Sequence, residues 1–235
     1  MKLGVMQPYF FPYLGYWQLM NAVDQYVIYD DVNYIKGGWI NRNRILVNGK
    51  ANFFHLPMKE KSPNKLINEL TWDRDERKIT KLLRTIEFAY KKAPQFRKVM
   101  PLIEKIFSFD SDKLAPFLIN QLEAVKNFLE IETKFIVSSE IPKDNSLKGQ
   151  DKLLAICEML GASEYYNAFG GTELYSHEDF ATRNIDLKFL KSLPPPVTEY
   201  RQFKNEFVPD LSIIDVMMFC DVKQLKKLLS SYILI

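Results

Sequence analysis

The first thirty residues alternate between two apolar runs and one amphipathic run, and this alternation constrains the fold most strongly. The runs at 2–6 and 26–29 have the apolar, partly β-branched and aromatic character of buried strands. Between them, residues 14–23 place apolar side chains at the spacing of a helix packed on one face. A strand, a helix and a second strand in this order predict a βαβ unit and therefore a parallel sheet.

The same alternation returns in the second half of the chain. A helical run at 151–160 ends before Gly161, a residue suited to the left-handed position that follows a helix. Strand-like runs cover residues 133–138, 163–169 and 185–190. The sequence therefore predicts an α/β fold with a mostly parallel, Rossmann-like sheet.

The segments between and after these strands predict additions to the core. Asn48-Gly49 separates two extended runs and favours a hairpin with a type I′ turn. Apolar residues then recur at helical spacing from Glu76 to Glu130, and again near the end of the chain. We predict a single domain with an α/β core at 1–58 and 131–193, a helical insertion at 59–130 and a C-terminal helical cap at 194–235.

Composition excludes several classes of protein. Thirty-two Lys and Arg against twenty-nine Asp and Glu leave a charge of +3, which argues against a general nucleic-acid binder and leaves a local basic patch open. No run reaches about 18 uncharged apolar residues, so no membrane span is expected. The two cysteines match no disulfide pattern, and the two histidines match no metal-binding pattern. The first ten residues do not resemble an export signal. The sequence therefore predicts a cytoplasmic protein and identifies no cofactor. The oligomeric state stays open.

The loop after the first strand is the first candidate site. It is rich in aromatic residues and prolines and leads into a helix, and ligands bind α/β sheets at the carboxyl ends of strands. Tyrosine rings could stack on a sugar or a base, and the helix N-terminus could accept a phosphate. An aromatic plug packed on the sheet is the alternative. The candidate residues are Gln7, Tyr9, Tyr13, Gly15 and Tyr16.

A second candidate site follows the second strand. An aspartate could orient a sugar, hold a metal or serve as a base, while the cations could neutralise a diphosphate and the tryptophan could stack on a ring. A solvated basic hairpin with an Asp–Arg pair is the alternative. Its residues are Asp30, Asp31, Lys36, Trp39, Asn41, Arg42 and Arg44, with Asp30, Asp31 and Lys36 as the catalytic candidates.

Two further polar loops are predicted at strand ends. One leads into the helix at 151–160 and could hold a phosphate, although Ser146 or Asp151 could equally be a simple helix cap. The other contains a Gly-Gly pair that fits either a plain turn or the approach of a ligand. The candidates are Ser139, Lys148 and Gly149 in the first loop and Gly170, Gly171 and Tyr175 in the second.

The opening MQPYFFPYLGYWQLMNAVDQYVIYDDVNYIKGGWINRNRI resembles the WbqC-like proteins, and the resemblance continues over nearly the whole chain. It includes Ser138-Ser139, KGQDKLLAICEMLGASEYY, Gly170-Gly171 and FVPDLSIIDVMMF. The Phe10-Phe11 pair and Tyr13 depart from the pattern, where the family more often has a tryptophan, and this bears on the stacking surface. The resemblance implies a role in bacterial O-antigen or surface-polysaccharide synthesis, with glycyl or other acyl transfer suggested.

The first βαβ unit is also loosely similar to nucleotidylyltransferases. Their H-x-G-H signature is absent, and Tyr13-Leu14-Gly15-Tyr16 stands in its place. Transition-state stabilisation would then fall to Lys36, Arg42 or Lys148.

Three functional hypotheses result. The leading one is a transferase that modifies a nucleotide-linked sugar or another phosphorylated small molecule. The second is a nucleotidylyltransferase-like enzyme that uses a nucleoside triphosphate and Mg²⁺. The third is a non-catalytic protein that binds nucleic acid or a partner through a basic helix containing Lys78, Lys81 and Arg84.

Overall fold

A computed structural model describes residues 1–204 and 206–235, and its main sheet has the order β5-β2-β1-β6-β7-β8. β1 pairs in parallel with β2 and β6, and only β8, at one edge, runs antiparallel to its neighbour. The strands are β1 (Lys2–Met6), β2 (Gln25–Ile28), β3 (Arg42–Val47), β4 (Lys50–His55), β5 (Lys134–Val137), β6 (Glu164–Ala168), β7 (Asp186–Ser192) and β8 (Tyr232–Leu234). The mostly parallel, Rossmann-like sheet is confirmed.

The order of the strands creates a switch point between β1 and β6. The chain moves outward from β1 through β2 to β5, and then returns to the other side of β1 for β6 and β7. Loops that leave β1 and β6 therefore turn to opposite faces of the sheet. Ligands of open α/β sheets bind in the crevice at such a position.

Helices cover both faces of the sheet. They are α1 (Leu14–Asn21), α2 (Glu76–Tyr90), α3 (Phe96–Phe107), α4 (Leu114–Phe128), α5 (Gly149–Met159), α6 (His177–Thr182), α7 (Ile213–Phe219) and α8 (Val222–Leu229). Strand residues alternate between the faces, so that buried Tyr26 packs on the side of α1 and its neighbour Val27 on the side of α5. The α1 side holds the larger core.

The predicted insertion shares this larger core with the sheet. Trp72 lies 4.4 Å, ring centre to ring centre, from Phe117 of α4, and its indole N–H donates to the Ser111 carbonyl at 2.7 Å. Phe10, from the loop after β1, lies 5.1 Å from Phe54 of β4 by the same measure. One continuous cluster of buried aromatic and aliphatic side chains thus joins residues 59–130 to the rest of the fold.

The Asn-Gly pair forms the expected turn. β3 and β4 pair in antiparallel register from Arg42–His55 to Val47–Lys50, and this two-stranded sheet is separate from the main one. Asn48 and Gly49 have φ angles of 50° and 75°, which are the positive values of a type I′ turn.

The end of the chain differs from the expected helical cap. α8 ends at Leu229, and Tyr232–Leu234 forms β8 against β7. The Ser230-Ser231 pair interrupts the helix, and the Tyr-Ile-Leu run that follows has high β propensity. No helix among the described residues has both the length and the apolar character needed to cross a membrane.

Candidate functional site

The loop after β1 is fixed by three segments that are distant in sequence. The Phe11 amide donates to Gln121 Oε1 at 2.8 Å, and Asn43 Nδ2 donates to the carbonyls of Phe10 and Phe11 at 3.1 and 2.8 Å. Ser212 Oγ also donates to the Phe11 carbonyl at 2.8 Å. These bonds hold Phe11 at a φ of 42°, an unfavourable value for a side chain of this size. The loop is therefore pre-organised.

The aromatic residues of this loop divide into a buried and a half-buried group. Phe10 and Phe11 are fully buried, so the plug expected as the alternative exists on the core side. Tyr16 is also buried, and its hydroxyl donates to the Gln7 carbonyl at 3.0 Å. Tyr9 is half-buried, and desolvation, aided by the neighbouring Tyr13, raises its pKa to about 12. Half-buried Tyr13 lines a cavity.

That cavity lies at the carboxyl ends of β6 and β7 and has a volume of about 390 Å³. Tyr13 and Gly15 line it from the start of α1, and Gly170 lines it from the loop after β6. A Cβ atom on Gly15 would lie 2.7 Å from Tyr13 Cε2, so a larger residue there would displace the tyrosine ring. Three predicted site residues therefore meet in one cleft beside the switch point.

The cavity also contains polar residues that the sequence did not single out. Lys191 and Asp210 are exposed and line it, and Lys191 Nζ lies 4.5 Å from the centre of the Phe169 ring. Tyr200 forms part of the wall, while its hydroxyl donates to buried Asp215 at 2.6 Å. No sequence pattern marked these residues, because they come from the end of β7 and from the irregular segment before α7.

Asp30 is held inside the protein at the end of β2. Its carboxylate accepts the Ser139 amide at 2.9 Å and the Ser139 hydroxyl at 2.7 Å. Asn68 Nδ2 approaches Asp30 Oδ2 at 3.4 Å, and Asp30 itself is buried. Asp30 and Ser139 therefore join the ends of β2 and β5, and these bonds occupy both oxygens of the carboxylate.

Asp31 lies in a buried ion cluster, which we define as Asp31, Lys143 and Lys152. Its Oδ2 is 2.7 Å from Lys143 Nζ and 3.0 Å from Lys152 Nζ. Burial raises the pKa of Asp31, but hydrogen bonds from Lys143, Ser138 and Lys152 outweigh burial, so the pKa is lowered. The carboxylate is ionised and paired with two cations.

Sequence reasoning missed both lysines of the buried ion cluster. Lys152 lies four residues before buried Ile156, so its place on the buried stripe of α5 was a usable signal. Lys143 lies in an irregular segment, where no periodicity marks a side chain as buried.

The start of α5 lies next to Tyr175 and Ser176, which follow the Gly-Gly turn. Lys148 and Gly149 are exposed at the start of α5. The following residue, Gln150, accepts the Ser176 amide at 2.8 Å, beside half-buried Tyr175. Gly171 is buried, and a Cβ atom there would lie 2.6 Å from Asn167 Nδ2.

The remaining predicted residues belong to the hairpin and the loop before it. Asn41 is buried and accepts the Tyr34 hydroxyl at 2.7 Å, whereas Lys36 is exposed. The side chains of Arg42 and Arg44 lie over the half-buried Trp39 ring on the outer face of the hairpin. Arg44 Nη2 donates to the carbonyl of Asp210, at the edge of the cavity, at 2.9 Å.

The four predicted loops thus form a row along one edge of the sheet. The Phe10 amide donates to the Trp39 carbonyl at 3.0 Å and joins the hairpin to the loop after β1. The cavity joins that loop to Gly170, and Gln150 of α5 accepts from Ser176, which follows the Gly-Gly turn in the chain. The cavity itself does not include the hairpin or the start of α5.

Two other predicted features lie outside this row. Lys78 of the basic helix α2 forms an ion pair with Asp73 at 2.5 Å, and Lys81 and Arg84 line an open depression beside exposed Phe88. Over the described ranges, no group of three or more His, Cys, Asp or Glu residues is placed to hold a metal ion.

The doubly wound sheet and the cleft at its carboxyl edge define an α/β protein of the Rossmann-like class. The chain belongs to the WbqC-like protein family, whose family model matches residues 7–227. It is also similar to the uncharacterized protein Rv1507c of Mycobacterium tuberculosis (strain ATCC 25618 / H37Rv), with 24% identity over 224 residues and 92% of each chain covered. No solved structure was found to match the chain.

Proposed function

We propose that the protein is a transferase that binds a nucleotide-linked sugar, or another phosphorylated small molecule, at the carboxyl edge of its sheet. The observation that carries this proposal is the cleft of about 390 Å³ formed by the loops after β1, β6 and β7. Its volume falls within the roughly 300–1,000 Å³ of small-molecule sites. The reaction we favour is glycyl or other acyl transfer during surface-polysaccharide synthesis, in line with the family.

Each side of the cleft suits a different part of such a ligand. Tyr13 and Phe169 provide aromatic surfaces for a sugar or base ring. Lys191 supplies a cation for a phosphate, and Asp210 supplies an acceptor for sugar hydroxyls. The start of α5, with Lys148 and Gly149, is a second position for phosphate and stays a prediction.

The base of the transfer step is best sought within the cleft. Asp30 and Asp31 are engaged by Ser139 and by two lysines, so their proposed part is to position the loops after β2 and β5. Asp210 is an exposed carboxylate on the cavity wall. It would take the proton from the attacking amine or hydroxyl as the acyl bond forms and the leaving group departs.

Thermal shift with UDP-, GDP-, CMP- and dTDP-sugars tests the proposal. A ligand at about 100 times its Kd stabilises the folded state by about 2.7 kcal/mol, which raises Tm measurably. Gly170→Leu adds a side chain in open space at the cavity wall and should abolish the shift. Thr172→Leu, exposed in the same turn and outside the cavity lining, is the matched control. Absence of a shift with all four classes of sugar nucleotide contradicts the proposal.

A nucleotidylyltransferase-like activity is the second candidate, because the order β5-β2-β1-β6-β7 is a doubly wound arrangement that binds nucleotides in other proteins. Release of pyrophosphate from a nucleoside triphosphate and Mg²⁺ would identify it. Acyl transfer from a loaded donor would release no pyrophosphate, so this one assay distinguishes the two candidate functions.

A further inference from the structure

The outer face of the hairpin combines aromatic rings with positive charge. We define this hairpin face as Trp39, Arg42, Arg44, Phe53 and His55. The rings of Trp39 and Phe53 lie 6.3 Å apart, centre to centre, at an angle of 26°. Arg42 Cζ lies 4.7 Å from the Phe53 ring centre, and Arg44 Cζ lies 5.7 Å from that of Trp39. Phe53 is 50% exposed, so half of this large side chain is free to contact a ligand.

The hairpin segment itself carries charge of one sign, although exposed Asp210 adjoins Arg44 from the segment before α7. Residues 32–59 contain five lysines and arginines and no aspartate or glutamate, although the whole chain is nearly balanced. Burial lowers the pKa of His55, and the positive charges of nearby Lys61 and Arg42 lower it further. A segment with this composition attracts anions.

The arginines of the hairpin face and two lysines that flank it in sequence have no carboxylate partner within residues 1–204 and 206–235. Arg42 donates to the carbonyls of Gly37 and Gly38, and Arg44 donates to the carbonyl of Asp210. Lys36 and Lys50 are exposed, and neither takes part in an ion pair in those residues. Backbone carbonyls orient the guanidinium groups without neutralising them.

We propose that the hairpin face binds single-stranded nucleic acid. Unpaired bases stack on exposed aromatic rings and their phosphates pair with nearby cations, which is the combination that the hairpin face offers. An anionic membrane fits less well, because Ile35 is the one strongly exposed aliphatic side chain of this segment in the described residues. Arg44 joins the hairpin face to the edge of the cleft at Asp210. Phe53 and His55 do not line the cleft, so the surface that would stack bases lies outside the proposed transferase site.

Fluorescence anisotropy with labelled oligo(dT) and oligo(U) of about 12 nucleotides, a length within the range of single-strand sites, tests the proposal. Phe53→Ala should weaken binding about tenfold, since stacking on one ring is lost. Phe88→Ala is the matched control, because Phe88 is 60% exposed beside the basic residues of α2. Exposed Lys36 precedes Gly37, whose carbonyl accepts from Arg42, so Lys36 flanks the hairpin face. Lys36→Ala should reduce the slope of log affinity against log salt by about 0.7, the value for one phosphate contact on a single strand. Thermal melts of each variant establish that it is folded.

Three outcomes would overturn the proposal. The first is no binding of either oligonucleotide at low salt, and the second is an equal or greater loss in Phe88→Ala than in Phe53→Ala. The third is binding to phosphatidylglycerol vesicles that Phe53→Ala abolishes, without oligonucleotide binding, which would assign the hairpin face to a membrane. Oligonucleotide binding that persists in Gly170→Leu supports a site distinct from the cleft, whatever the outcome for sugar nucleotides.

Discussion

Replacing Asp31 by Asn tests whether the buried ion cluster supports the fold. The substitution keeps the shape of the side chain and removes its negative charge. It would leave the ammonium groups of Lys143 and Lys152, whose side chains are 1% and 8% exposed, without a counter-charge. Removing one partner of a buried ion pair costs about 3–5 kcal/mol, because the remaining charge stays desolvated. For a chain of this size, that loss lowers Tm by roughly 6–20 °C.

Urea unfolding, followed by circular dichroism and by tryptophan fluorescence, measures the loss. Lys143→Met should cost less than Asp31→Asn, because Lys152 still neutralises Asp31. The double variant should lose less free energy of unfolding than the two single variants lose together, since it has one unpaired buried lysine fewer than Asp31→Asn. A loss below about 1 kcal/mol for Asp31→Asn would mean that the lysines reach water, and would refute the reasoning.

The same cluster predicts a dependence on pH. The pKa of folded Asp31 lies below its ordinary value of 3.8, so its contribution to stability is fully present above that value. The contribution is lost as the pH falls through the folded pKa. Asp31→Asn should therefore flatten the loss of stability below about pH 4. If the free energy of unfolding falls equally with decreasing pH in both proteins, the lowered pKa is contradicted.

Three further predictions concern the core and the loops. Burial raises the pKa of Cys157 and Cys220 to about 12, so iodoacetamide at about pH 8 should modify neither thiol before unfolding, and mass spectrometry would detect an exception. Gly171→Ala should lower the free energy of unfolding in urea by about 1–3 kcal/mol, because its Cβ would meet the Asn167 amide. Gly170→Ala, in open space, should change it by no more than about 0.5 kcal/mol, and equal losses would refute this. Trp72→Ala should cost about 3–5 kcal/mol in the same assay, and a loss below about 1 kcal/mol would show that residues 59–130 do not depend on the shared core.

Local signals in the sequence predicted much of the fold. The period of apolar residues marked β1, α1 and β2, and the Asn48-Gly49 pair marked the hairpin turn. These signals suffice because each depends on neighbouring residues, either through which face is buried or through which φ angles are allowed. β8 was missed because its three apolar residues lie only two residues after α8 and extend the apolar run of that helix.

The site was predicted less completely, because it is made by contacts between distant residues. Gln121 and Ser212 hold Phe11 across 110 and 201 residues of sequence, and no local pattern reveals such bonds. The shared edge of these loops follows from the parallel direction of the strands. Which side chains of these loops reach the cleft depends on packing. Tyr16 is buried, whereas Tyr13 lines the cleft.

The bonds that fix the loop after β1 have a consequence for the order in which the protein can be made. β1 leaves the ribosome long before its partner β6, which begins only at Glu164, and the Ser212 hydroxyl comes later still. The nascent N-terminal half can therefore form helices and the hairpin, but not the cleft. A translation product that stops before Ser212 should lack the binding pocket even though it contains most of the residues that line the edge, so ligand capture would report that synthesis has passed this residue.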